Sequence, residues 1–88
     1  MSVAASMERK LREAFSPETL EIIDESERHR GHSGWREGGE THFRLRMTAP
    51  AFAGEGRVAR QRAVNRVLAA ELAGPVHALA MELRAPGE

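Results

Sequence analysis

The sequence predicts a small α+β domain built on a three-stranded mixed sheet, and three stretches carry that prediction. Residues 41–48 alternate, with Phe43, Leu45 and Met47 on one side and His42, Arg44 and Arg46 on the other. That is the pattern of a half-buried strand with one wet face. Val64, Val67, Leu68 and Leu72 recur at helical spacing opposite Arg62 and Arg66, and Gly74-Pro75 follows as a stop signal. Residues 76–84 then read as a further strand, with His77, Leu79, Met81 and Leu83 on one parity and Pro86-Gly87 ending it. The helical connection between these strands is long enough for a right-handed parallel crossover.

The remaining elements fall into order around these. Val3, Met7, Leu11 and Phe15 form the apolar stripe of a first helix, ended at Ser16-Pro17 because the residue before proline is pushed out of the helical region. Leu20 and Ile22 alternate with Glu21 and lead through Ile23 to Ser26 as a first strand. Residues 27–40 hold four glycines among charged residues and read as a loop. Ala49-Pro50 stops the next strand and Gly54-Glu55-Gly56 marks a turn. Running the second helix back to Arg57 would put Arg57 and Arg60 on its apolar stripe, so a break near Arg60 is expected. The order is helix, strand, strand, helix, helix, strand, with the helices on one face of the sheet.

At 88 residues the chain is one domain, residues 1–88, with its core over about residues 3–85. Such a domain buries about 60–65% of the surface its unfolded chain exposes. No apolar run approaches the roughly 20 residues of a membrane span, and the first fifteen residues are too charged for a signal peptide. A cytoplasmic location is expected. Cysteine is absent, which excludes disulfides, thiolate zinc sites, thiol redox chemistry and an all-thiolate iron–sulfur site. Net charge is zero, with 13 Lys+Arg and 13 Asp+Glu, but the charges are segregated. Residues 8–27 hold seven acids and three bases, while residues 44–66 hold six arginines and one acid, Glu55. One face is therefore suited to an anionic partner.

The chemical motifs are weak. Gly54-Glu55-Gly56-Arg57-Val58-Ala59 fits a dinucleotide-binding pattern, yet five residues separate it from the strand and Glu55 would repel a pyrophosphate. It reads as a structural turn. Gly31-His32-Ser33-Gly34 has the form of a KH-domain backbone clamp but lies between strands, not helices. Tyrosine is absent and Phe43 is on the core parity, leaving Trp35 as the plausible exposed aromatic for base stacking. Asp24 and Glu25, adjacent in a strand, point to opposite faces and cannot act as paired carboxylates. No nucleophile–base arrangement has spacing logic, so an enzyme is not expected. The four histidines are His29 and His32 in the glycine-rich loop, His42 on the wet face, and His77 at a strand start. Neutral imidazole binds zinc, copper and iron, but loop histidines are more often solvated and a histidine on an apolar face more often a hydrogen-bonded core residue.

Asp24-Glu25-Ser26 followed by His29, then Glu40-Thr41-His42-Phe43, resembles the BolA family. So do Phe52-x-Gly54, Arg60-x-Arg62, Glu71-Leu72 and Val76-His77-Ala78-Leu79-Ala80, in the same order, over about residues 7–86. The resemblance implies a class II KH-like fold. It also implies a partner, a monothiol glutaredoxin, with which BolA-like proteins share a bridging 2Fe-2S cluster also held by glutathione. By position the ligands from this chain would be His77 and a loop residue, His29 or alternatively His32. A monomer alone and a heterodimer with the partner are expected, acting in iron–sulfur trafficking or iron-responsive regulation. The family's reputation as transcription regulators implies the alternative, a nucleic-acid-binding protein contacting phosphates through Arg57, Arg60, Arg62 and Arg66. One departure stands out: the family usually reads Arg-His-Arg where this chain has Arg60-Gln61-Arg62.

Overall fold

A computed structural model describes residues 2–26 and 39–88. Helix α1 spans Val3–Phe15, β1 Thr19–Asp24, β2 His42–Thr48, α2 Arg57–Val67, α3 Ala69–Ala73 and β3 Ala78–Arg84, with a single 3₁₀ turn at Pro50–Phe52. Ser2 caps α1, its Oγ accepting from the Ala5 N–H at 3.0 Å. The helix stops at Ser16, which takes a left-handed conformation (φ 46°) while its N–H donates to the Arg12 carbonyl.

The strands lie in the order β1-β2-β3, β1 antiparallel and β3 parallel to β2. Register explains the alternation. Leu20 faces Met47 and Ile22 faces Leu45 across the hairpin, while Leu45 and Met47 face Met81 and Leu83 across the parallel pair. These side chains form one apolar surface, covered by Met7 and Leu11 of α1 and Val64 of α2, all fully buried. Phe52 closes the core, its ring 5.3 Å from that of Phe15. Each fully buried Leu, Met or Phe side chain contributes about 1.5–3 kcal/mol of transfer free energy. The opposite face is polar: Glu21, Arg46 and Glu82 form one row across all three strands. Arg46 pairs with both acids, and Arg44 reaches Glu82 and Glu25.

Three sequence expectations need correction. Helix α2 runs unbroken through Arg60, and the break comes at Leu68, between α2 and α3. The conflict at Arg60 is resolved by partners instead of a break. Its Nε donates to the Glu55 carbonyl at 2.8 Å, its Nη1 to the Leu83 carbonyl at 3.1 Å, and both Nη atoms to the Glu88 carboxylate at 2.7 Å. The third strand starts at Ala78, later than residue 76. The N–H groups of His77 and Ala78 both reach the Thr41 carbonyl, breaking the alternation. Val76 is therefore buried and His77 exposed, off the apolar parity expected for it. Finally, His42 is on the outer face but only 4% exposed, so it is not a wet-face residue.

Candidate histidine site at the head of the sheet

Where β1 ends, Asp24 organises the entry into β2. Its Oδ1 accepts from the Ser26 N–H at 2.9 Å and the Ser26 hydroxyl at 2.6 Å; its Oδ2 accepts from the Glu40 N–H at 3.0 Å. Burial pushes the Asp24 carboxyl up, but the Ser26 and Glu40 hydrogen bonds outweigh it and hold the group below its ordinary value. An ionised carboxylate only accepts, so the Ser26 hydroxyl must donate toward it. The Ser26 oxygen is then left to receive the Thr41 N–H at 3.0 Å and the His42 N–H at 3.2 Å. Gly39 (φ 74°) and Glu40 (φ 61°) turn the chain into this clamp. A Cβ at Gly39 would come within 2.9 Å of the Asp24 carboxylate, so any other residue there would be strained by φ and would push on the clamp.

From the clamp the network runs on to the histidines. Thr41 Oγ1 lies 2.9 Å from His42 Nδ1 and 3.3 Å from Ser26 Oγ. The Thr41 carbonyl accepts the His77 N–H at 2.7 Å, which fixes the His77 backbone beside β2. The two imidazoles lie 5.3 Å apart between centroids, inclined at 53°. His42 is buried and His77 exposed. Among the described residues no hydrogen bond occupies the His77 ring, so its nitrogens are open to a ligand from solvent. No group of three metal-ligating side chains occurs among the described residues. His29 and His32, together with the Gly31-His32-Ser33-Gly34 motif and Trp35, lie outside them.

The arginines of α2 divide between two grooves that share Arg60. Arg57 and Arg60 line one of about 460 Å³ beside β3, and Arg60, Arg62 and Arg66 line another of about 430 Å³ beside Phe15. Arg57, Arg62 and Arg66 are exposed and make no ion pair among the described residues, whereas Arg60 is fully engaged by its own chain.

Sequence reasoning missed His42 as the neighbour of His77. Its parity pointed to solvent, and nothing local reveals that parallel pairing sets His42 opposite Ala78. The Asp24-Glu25-Ser26 and Glu40-Thr41-His42 motifs were visible, but not that they bond to one another.

The described residues thus form a small α+β domain with an anchored, exposed imidazole and an arginine-rich helix. The chain belongs to the BolA family: the family described as BolA-like protein matches residues 11–88. An uncharacterized Sinorhizobium protein encoded in a cobS 5′ region is 53% identical, covering 100% of this chain and 96% of that one. Human BolA-like protein 1 is 44% identical over 98% of this chain, which spans only 60% of the human protein. The DNA-binding transcriptional regulator BolA of Escherichia coli is 41% identical over 92% of this chain and 73% of its own. Among solved structures, the BolA domain of SufE1 from Arabidopsis thaliana superposes with a TM-score of 0.87 at 36% identity, covering 98% of this chain and 94% of that one. No helix among the described residues is long and apolar enough to cross a membrane.

Proposed function

We infer that this chain is the partner of a monothiol glutaredoxin and lends an imidazole, that of His77, to a 2Fe-2S cluster shared with the glutaredoxin and glutathione. The observation that supports this is the state of His77, whose backbone is held at 2.7 Å by Thr41 while its ring is exposed, lies against that of His42 and carries no hydrogen bond among the described residues. A fixed backbone beneath an exposed ring suits a ligand donated across an interface, because little backbone freedom remains to be lost on binding. The donor chemistry also fits. A chain without cysteine can still bind one iron through imidazole, as mixed Cys/His ligation does elsewhere. His29, with His32 as alternative, would be the second donor from this chain. The cluster is cargo here, held for iron–sulfur trafficking or iron-responsive regulation.

The test is to mix the protein with cluster-loaded monothiol glutaredoxin and glutathione, recording visible absorption and circular dichroism. His77→Ala should still bind glutaredoxin but alter the cluster spectrum, and only one of His29→Ala and His32→Ala should reproduce the change. Spectra identical to the parent for all three would leave the cluster to glutaredoxin alone and reduce this chain to a docking partner.

A second reading has its own support. Helix α2 contains no acidic residue and presents Arg57, Arg62 and Arg66 to solvent. The Escherichia coli relative carries the name of a DNA-binding transcriptional regulator. In that reading phosphates would lie along α2, against Arg57, Arg62 and Arg66.

A further inference from the structure

Arg60 is a basic side chain enclosed to 12% exposure whose terminal nitrogens grip a carboxylate of its own chain. Three contacts hold the guanidinium without that carboxylate: Nε on the Glu55 carbonyl, Nη1 on the Leu83 carbonyl, and Cζ over the Phe52 ring, 5.9 Å from its centroid. Glu88 then adds a bidentate pair at 2.7 Å to both Nη atoms, and its Oε1 also accepts the Ala85 N–H at 3.0 Å. Planar, paired N–H donors plus a backbone N–H make a fitted receptor for a carboxylate. The two partners differ in freedom. Arg60 is built into the wall between α2 and β3, whereas the Glu88 side chain is 46% exposed. It rides on a tight turn closed by its own N–H on the Ala85 carbonyl, with Gly87 at φ 88°.

The receptor opens onto the groove of about 460 Å³ whose lining includes the bases Arg57 and Arg84, the acids Glu55 and Glu82, and Leu83. That groove runs along β3, which pairs with β2 alone and so leaves its outer edge open among the described residues. Arg57 and Arg84 are both exposed, and of the two acids Glu82 is already paired with Arg44 and Arg46, so the bases outweigh Glu55.

We propose that Arg60 and the Ala85 N–H form a carboxylate-binding site, held shut by Glu88 and opened when an acidic segment of a partner protein displaces it. The occupant seen is a carboxylate, and this favours an acidic peptide over a phosphate backbone. The low value of the Glu88 carboxyl, about 2, agrees with the strength of the Arg60 and Ala85 contacts. This site is independent of the cluster reading: His77 and Leu83 flank opposite ends of β3, about 20 Å apart at the rise of an extended strand.

The test uses a fluorescein-labelled hexaglutamate peptide, followed by anisotropy at low salt, with amide and Arg Nε NMR signals as a second readout. Glu88→Ala removes the internal competitor and should tighten peptide binding about fivefold or more, because the competent fraction of the protein rises. On titration the Ala85 amide and Arg60 Nε signals should move in that variant. Arg60→Lys in the Glu88→Ala background should lose the gain while circular dichroism confirms the fold. Unchanged affinity in Glu88→Ala, or unmoved Ala85 and Arg60 signals, overturns the proposal. A gain seen with a duplex DNA of about 20 base pairs and not with the peptide overturns the carboxylate assignment.

Discussion

The rings of His42 and His77 stand 5.3 Å apart, one buried and the other exposed, because both residues adjoin the Thr41 carbonyl that seeds the parallel pairing of β2 with β3. Two histidines in contact thus carry different burdens. His42 is built into the fold, with its backbone and ring tied to Ser26 and Thr41, while His77 contributes mainly a side chain directed at solvent.

That division predicts opposite mutational behaviour. His77→Ala should alter stability by no more than about 0.5 kcal/mol, as for an ordinary surface position, whereas His42→Ala should cost about 2 kcal/mol through lost packing and hydrogen bonding. Urea unfolding of the two variants measures both. Equal losses would mean that His77 is structural, contrary to its proposed role as a ligand.

Ser26 should be among the most sensitive small residues. Its hydroxyl joins Asp24 to the N–H groups of Thr41 and His42, and the residue is 1% exposed. Ser26→Ala leaves those groups without a partner and should cost about 2 kcal/mol. Faster hydrogen exchange of the Thr41 and His42 amides, beyond the global change, would localise the effect.

The contact between α1 and α3 sets a pH dependence. Glu71, nearly buried, accepts from Lys10 Nζ at 3.0 Å and Ser6 Oγ at 2.8 Å. Burial pushes its carboxyl up, but the Lys10 and Ser6 hydrogen bonds prevail and hold it below the ordinary 4.5. As pH falls, the unfolded chain therefore takes up the proton first. The stabilisation is complete above about pH 4.5 and is lost as pH drops through the folded value. Asp24 acts in the same direction from its ordinary 3.8. Thermal midpoints measured between about pH 6 and pH 3 should fall below pH 4.5, and Glu71→Gln should flatten the first part of that fall. Lys10→Met, which strands the carboxylate, should cost about 2 kcal/mol near neutral pH, less than a fully enclosed pair because Lys10 is 28% exposed.

Duplex DNA binding, where it occurs, should be weak and strongly dependent on salt. With Arg60 engaged by Glu88, three arginines of α2 remain for phosphates, giving a log–log slope of about −2.7 and micromolar or weaker affinity near physiological salt. Titrations at several salt concentrations test this. A nanomolar, sequence-selective complex at physiological salt would put the regulator reading ahead of the cluster reading.

Most of the element order was legible because hydrophobic periodicity is a local property. Phe43, Leu45 and Met47 announce a strand, and Val64 and Leu68 announce a helix, whatever they pack against. The missing cysteines and the arginine-rich α2 were equally plain. The break at Leu68, the start of β3 and the states of His42 and His77 were not, because they depend on partners distant in sequence. Arg60 belongs to an apolar stripe until Leu83 and Glu88 supply oxygens for it. His42 has the parity of a solvent-facing residue, yet its burial and its contact with His77 exist only once β3 has crossed to lie parallel to β2. The sequence by itself therefore determined which segments become helix and strand and which faces are apolar. Tertiary structure alone decided which polar groups meet, since a hydrogen bond between distant residues is set by strand register, which no local pattern encodes.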